Sequence, residues 1–257
     1  MKKFELSLGS FSGGIFYHLK AAVYSKRLWD SHRDQVDHFL QAWFRHLEGE
    51  NKNFKADEEF LILVGPSGGY SLPENFLKKF KKVIAYEPDQ MARRIFEKRF
   101  GIFPEWSNEI FDPATTVFPN GLILFCNVLG QLKIESVPAF KSQLEKNLYG
   151  RKWASYHDAF SVQCSKSQRV HFKIPSLAGE SLPKIHERMM QDWLQVSQWG
   201  IRLGKNKKHN LTILDHEARQ FFTDKGIEYF YWMWKITPAQ THLIEGTFYR
   251  QIFVERE

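Results

Sequence analysis

Cysteine is scarce in this sequence of 257 residues: only Cys126 and Cys164 occur, which excludes a disulfide-built scaffold. No apolar run approaches the ~20 residues needed to cross a bilayer. After Met1-Lys2-Lys3 the chain is interrupted by Glu5 and by glycines and serines, so no clean secretory leader is read. Internal repeats and low-complexity tracts are missing too. Neither Cys-x-x-Cys nor His-Glu-x-x-His occurs, and His171, His186, His209 and His216 are scattered, so no metal centre is expected. Together these absences make a cytoplasmic protein without a membrane span the expectation.

What is present suffices for an ordered core: 43% of residues are hydrophobic and 25% charged. Aromatics reach 16%, with 23 Phe and 8 Trp, which suits a Phe-rich core or flat pockets. The formal charge of +7 permits an anionic partner without requiring one. Lys78-Lys79, Lys81-Lys82, Arg93-Arg94, Lys98-Arg99 and the Lys205–His209 cluster fall mostly on outer helix faces. They read as solvated surface, and nucleic acid is not the favoured partner. The run Tyr229-Phe230-Tyr231-Trp232-Met233-Trp234 reads as strand core rather than as a base-stacking platform.

Periodicity divides the chain. Residues 15–48 read as helical, with Val36, Phe39, Leu40, Trp43, Phe44 and Leu47 forming one apolar stripe. A polar linker follows at 49–58. Strands are expected at 60–64, 83–86, 102–106, 122–126 and 153–160, and helices at 72–81, 89–99 and 136–149. Residues 163–213 read as an insertion with a helix around 183–198. Asp215 to Asp224 reads as helix, and strands over 227–234 and 241–253, joined by a turn with Pro238, close the chain. Alternation of strand and helix points to a Rossmann-like αβα sandwich. Its sheet is mostly parallel, with an antiparallel C-terminal hairpin. Residues 1–57 form a helical cap and 58–257 the α/β unit.

Three motifs fall at the carboxyl ends of predicted strands, where such sheets bind ligands. Gly65-Pro66-Ser67-Gly68-Gly69 follows the first strand; a glycine-rich turn admits a ligand close to the backbone. Glu87 ends the second strand, where a carboxylate can accept both hydroxyl hydrogens of a ribose. Asn127 ends the strand at 122–126. The dinucleotide fingerprint G-x-G-x-x-G fails, because Ser67 and Tyr70 stand at two of its glycine positions. A nicotinamide-dependent oxidoreductase is therefore disfavoured.

In the order and spacing of these motifs the chain resembles the class I S-adenosylmethionine-dependent methyltransferases, over about residues 58–165 and 212–254. Leu63-Val64-Gly65-Pro66-Ser67-Gly68-Gly69 is similar to their first motif, with Ser67 at the middle glycine and Leu63 at the acid. Val83-Ile84-Ala85-Tyr86-Glu87-Pro88-Asp89 and Gly121-Leu122-Ile123-Leu124-Phe125-Cys126-Asn127 resemble the second and fourth. The resemblance implies S-adenosylmethionine as cofactor. Gly65, Ser67 and Gly69 would lie under its methionine moiety, Glu87 on the ribose and Pro88 beside the adenine. Glu105, or less favourably Asp112, would bind the adenine amino group, and Asn127 would sit beside the acceptor.

His157 and Asp158 are the candidate bases, at the end of the fifth strand; His242 and Glu245 form a second polar pair with a structural reading. The leading expectation is methyl transfer to an unidentified acceptor. The alternative, motivated by Leu63 and Ser67, is a methyltransferase-like fold that binds or scaffolds without catalysis.

Overall fold

The computed structural model describes residues 14–50, 52, 54–107, 109–129, 137–164, 211–216, 222 and 226–249. Helices α1 (Gly14–Tyr24) and α2 (Asp30–Glu50) precede strand β1 (Phe60–Val64). Then come α3 (Glu74–Leu77), β2 (Lys82–Tyr86), α4 (Gln90–Phe100), β3 (Glu105–Ser107), β4 (Leu122–Cys126) and α5 (Val137–Leu148). The chain continues with β5 (Trp153–Cys164), β6 (Leu211–Asp215), β7 (Ile227–Thr237) and β8 (Gln240–Tyr249). Among the described residues no helix is long and apolar enough to cross a membrane.

The strands form one sheet in the order β3-β2-β1-β4-β5-β8-β7, with β6 pairing β5 off that path. The pairs β3·β2, β2·β1, β1·β4 and β4·β5 are parallel. β8 lies between β5 and β7 and runs antiparallel to both, as expected for the closing hairpin around Pro238. The chain leaves β1 in one direction for β2 and β3, then returns to its other side with β4. This reversal opens a crevice at the carboxyl ends of β1 and β4.

Side-chain alternation builds three layers. Leu61 and Leu63 of β1 face α1, α2 and α4, packing into a core with Trp29, Val36, Trp43, Phe96 and Phe100. Ile62 and Val64 face the other way, toward Phe140, Leu144 and Leu148 of α5. Each large apolar side chain of the α2 stripe stabilises this arrangement by ~1.5–3 kcal/mol through burial. The cap helices thus share one core with the sheet.

Several elements differ from the sequence expectation. The single helix over 15–48 is two helices, separated by a turn at Trp29. The indole N–H of Trp29 donates to Ile236 O at 2.9 Å, which pins the break against β7. The helix over 72–81 shrinks to α3: beyond Leu77 the bonds tighten to three-residue spacing, as in Phe80 N–H to Leu77 O. The third strand begins at Glu105, just after Pro104, rather than at 102. Asp215 ends β6 rather than opening a helix. The helix around 183–198, the Lys205–His209 turn and most of the insertion lie outside the described residues, as do residues 250–253.

Candidate functional site at the strand ends

The turn after β1 is built for sharpness. Gly65 and Gly69 adopt φ +66 and +67, and Ser67 adopts φ 51, a left-handed value uncommon for a non-glycine residue. Strain at Ser67 is offset by Glu87. Its Oε2 accepts from Ser67 N at 2.8 Å, and its Oε1 accepts from Asp89 N at 3.0 Å. The glycine turn and the Glu87 carboxylate therefore meet directly, at adjacent ends of β1 and β2. Arg93 of α4 pins the neighbouring ends, donating to Glu87 O at 2.6 Å and Ser107 O at 2.8 Å. Asp89 caps α4, accepting from Met91 N and Ala92 N.

Glu87 is 1% exposed. Burial pushes its carboxyl up from 4.5 to about 7, and the hydrogen bonds from Asp89 and Ser67 only partly oppose that. The hollow that it lines, with Val64, Gly65, Tyr86, Pro88, Ile110, Phe111 and Val128, measures about 10 Å³. A Cβ placed on Gly65 would lie 2.8 Å from Cβ of Val128, so the valine sits directly on the glycine. A wider cleft of about 300 Å³ lies between α2 and α3, lined by Asp37, Gln41, Glu74 and Lys79, away from the strand ends.

Two of the residues expected at the cofactor lie away from the hollow. Gly69 does not face the hollow: a Cβ there would collide with the Phe100 ring and lie 2.9 Å from Phe96. Its lack of a side chain serves the packing of α4. Glu105 opens β3 opposite Ile84 and pairs with Lys82 at the amino end of β2. Two residues further on, Ser107 is level with Tyr86, so Glu105 is directed away from the crevice. Asp112 serves a local turn, its Oδ1 accepting from Ala114 N at 2.9 Å. Pro88 does line the hollow.

Asn127 has φ 54 and clasps β5. Its Oδ1 accepts from Asp158 N at 2.8 Å, and its Nδ2 donates to Asp158 Oδ2 at 3.3 Å. The clasp sets Asp158 beside the crevice, but His157 points to the opposite face, because neighbours on a strand alternate. Fully buried there, His157 lies 3.0 Å from Ser155 Oγ and 3.6 Å from Glu245 Oε1. His157 and Asp158 are therefore not a dyad. Partners are exchanged between the two polar pairs: His157 with Glu245, and Asp158 with His242, whose Nδ1 stands 3.0 Å from Asp158 Oδ1. Burial disfavours the charge on Asp158, yet His242, His216 and Asn127 outweigh it and hold the carboxyl below its ordinary range.

One cluster of metal-ligand type occurs among the described residues. Asp158, His216 and His242 each bring one ligand atom within 4.8 Å of the others. They come from widely separated positions and carry no local motif, so no sequence spacing could have revealed them. Sequence reading also missed Tyr17 of α1. It is half-buried beside Asp158 and Glu87, and its phenol is pushed well above the usual range by burial first, then by Asp158, Tyr70 and Glu87. Beside it, His18 bridges Tyr70 OH (2.9 Å) and Asp89 Oδ2 (3.3 Å), tying α1 over the strand ends.

The turn also spells Gly-x-Ser-x-Gly, the pattern of a hydrolase nucleophile elbow. Ser67 Oγ, however, is buried without a hydrogen-bond partner. Among the described residues no base reaches it, and nucleophilic hydrolysis is not supported.

No protein-family model matches the sequence, and no curated protein matches it. Among solved structures, the N-methyltransferase NodS from Bradyrhizobium japonicum WM9, in complex with S-adenosyl-L-homocysteine, is 10% identical with a TM-score of 0.45. That match covers 94% of this chain and 100% of that one. Magnesium protoporphyrin IX methyltransferase from Synechocystis PCC 6803, with bound SAM, is 8% identical with a TM-score of 0.42, covering 96% and 99%. The amino pentose methyltransferase CalS10 from Micromonospora echinaspora is 11% identical with a TM-score of 0.43, covering 90% and 96%. Similarity this low leaves function to be argued from this chain's own residues.

Proposed function

We propose that the chain binds S-adenosylmethionine at the carboxyl ends of β1, β2 and β4 and transfers its methyl group to an unidentified acceptor. The observation that carries this reading is the 2.8 Å bond from Ser67 N–H to Glu87 Oε2, which unites glycine turn and carboxylate at the ends of β1 and β2, beside the point where strand order reverses. The donor chemistry fits. Each Glu87 oxygen takes one backbone N–H and keeps a further lone pair, enough to accept a ribose diol. Gly65 carries no side chain of its own to bar a ligand once Val128 moves, and Pro88 supplies a flat wall.

Room is the opposing consideration. Among the described residues the hollow of about 10 Å³ holds one water at most, so a nucleoside seated there displaces Ile110, Phe111 and Val128. The first two lie on the connection between β3 and β4, and Ile110 is exposed at 36%.

The cofactor supplies an electrophilic methyl on a sulfonium, which leaves the protein to align the acceptor, exclude water and manage a proton. Tyr17 and His18 on α1 exclude water over the strand ends. Asn127 and Asp158 face the acceptor side. Held below the usual carboxylate range, Asp158 is a weak base, so its role is to orient rather than to take a proton. His157 has no role in this reading.

The closed hollow favours a second reading, a methyltransferase-like fold that acts as a binding or scaffold protein. Calorimetric titration with S-adenosylmethionine and S-adenosylhomocysteine separates the two. Single-site binding that is lost in Glu87→Ala supports the cofactor site. No binding by the wild type supports the scaffold, and binding unchanged in Glu87→Ala places any cofactor elsewhere.

A further inference from the structure

We propose that Asp158, His216 and His242 bind one divalent transition-metal ion of the zinc or iron(II) class where β5, β6 and β8 meet. The site shares Asp158 with the acceptor side of the methyl-transfer reading, but none of its ligands lines the hollow at Glu87, so metal binding and cofactor binding are tested separately.

Tertiary pairing assembles it. A bulge between Asp158 and Phe160 re-aims the end of β5. β6 pairs antiparallel with β5, and His216 N donates to Ala159 O at 3.1 Å, which delivers His216 beside the bulge. On the other edge of β5, His242 lies opposite Ser161.

The convergence of three ligand-type side chains within 4.8 Å marks a ligand site. Asp158 Oδ1 and His242 Nδ1 stand 3.0 Å apart, but their alignment does not make a hydrogen bond. Both atoms are buried and face each other as an ion pair outside ideal hydrogen-bond alignment, so two ligand atoms are already turned to one point. Their outer atoms are held. Asp158 Oδ2 accepts from Asn127, and His242 Nε2 meets the Gln240 amide at 2.9 Å. His216 is steadied by Ser161 Oγ, 3.1 Å from its Nε2. On Asp158 and His242, inner atoms that face each other and outer atoms that are anchored make the arrangement that orients metal ligands.

Ligand type selects the ion. Two imidazoles and one carboxylate suit zinc or iron(II). The absence of thiolate disfavours copper(I), and a single carboxylate is too little oxygen for calcium or magnesium. Three protein ligands leave a coordination position open, the pattern of a reactive rather than a structural centre.

The test uses the full chain, stripped of metal with a chelator and dialysed. It is titrated calorimetrically with zinc chloride, and separately with cobalt(II) while visible absorption is followed. One ion per chain is expected, with the cobalt bands of a site holding nitrogen and oxygen donors. His216→Ala and Asp158→Asn should each weaken zinc binding by at least about 10-fold. Circular dichroism checks that each variant is folded; should Asp158→Asn unfold, the half-exposed His216→Ala decides. The proposal is overturned if the wild type shows no saturable one-to-one binding, or if a folded His216→Ala binds zinc as tightly as the wild type.

Discussion

Glu87 offers a quantitative handle on the closed strand ends. Its carboxyl is raised from 4.5 to about 7 by burial, so the folded protein holds a proton that the unfolded chain releases. The sign follows: the contribution is fully present below pH 4.5 and is lost as pH rises through 7. Across that window the loss approaches ~1.4 kcal/mol per pH unit, on the order of 3 kcal/mol in all. His32 works in the opposite sense. Burial lowers its imidazole from 6.5 to about 3, so its contribution is present above pH 6.5 and is lost as pH falls toward 3. Between pH 4.5 and 6.5 the two slopes oppose each other, and the raw stability profile conceals both.

A comparison with Glu87→Gln separates them. The amide cannot titrate, and its single carbonyl oxygen can satisfy only one of the N–H donors of Ser67 and Asp89. That adds a penalty of ~1–3 kcal/mol that does not depend on pH. Urea unfolding of both proteins at half-unit steps from pH 4.5 to 8 gives the difference curve, in which His32 cancels. The wild type should lose on the order of 3 kcal/mol relative to the variant as pH rises through the window. A flat difference curve would refute the reasoning, because it would mean that Glu87 titrates alike folded and unfolded.

Two further substitutions probe the same region. Gly69→Ala should destabilise by about 2–4 kcal/mol in urea denaturation, combining left-handed backbone strain with a methyl driven into the Phe96 and Phe100 rings; a loss below about 1 kcal/mol contradicts the packing role. Val128→Ala should cost about 1–3 kcal/mol of stability yet strengthen S-adenosylhomocysteine binding in calorimetry, because it uncovers Gly65. Weaker binding in that variant would show that the valine does not obstruct the ligand.

Much of the fold was legible because hydrophobic period is a local property. The β1 and β4 runs, the α2 stripe, and the Pro88-Asp89 start of α4 were each written in a few adjacent residues. The limits of legibility were equally local. The break in the first helical stretch is held at Trp29 by Ile236, far along the chain, which accepts its indole proton. Of the candidate site, the meeting of the 65–69 turn with Glu87 followed from strand order, since both lie at the ends of adjacent parallel strands. Alternation alone could have warned that His157 and Asp158 diverge.

Pairing across the antiparallel strands lay beyond any local reading. The sequence by itself determined which segments become strands, where the turn is tight, and which carboxylate ends β2. Only tertiary structure decided that Val128 covers Gly65, that Glu105 faces the wrong end of the sheet, and that Asp158 takes His242 and His216 as neighbours. The physical reason is that periodicity records which face of an element is apolar. Register, bulges and the approach of distant strands record which side chains meet, and no stretch of adjacent residues encodes them.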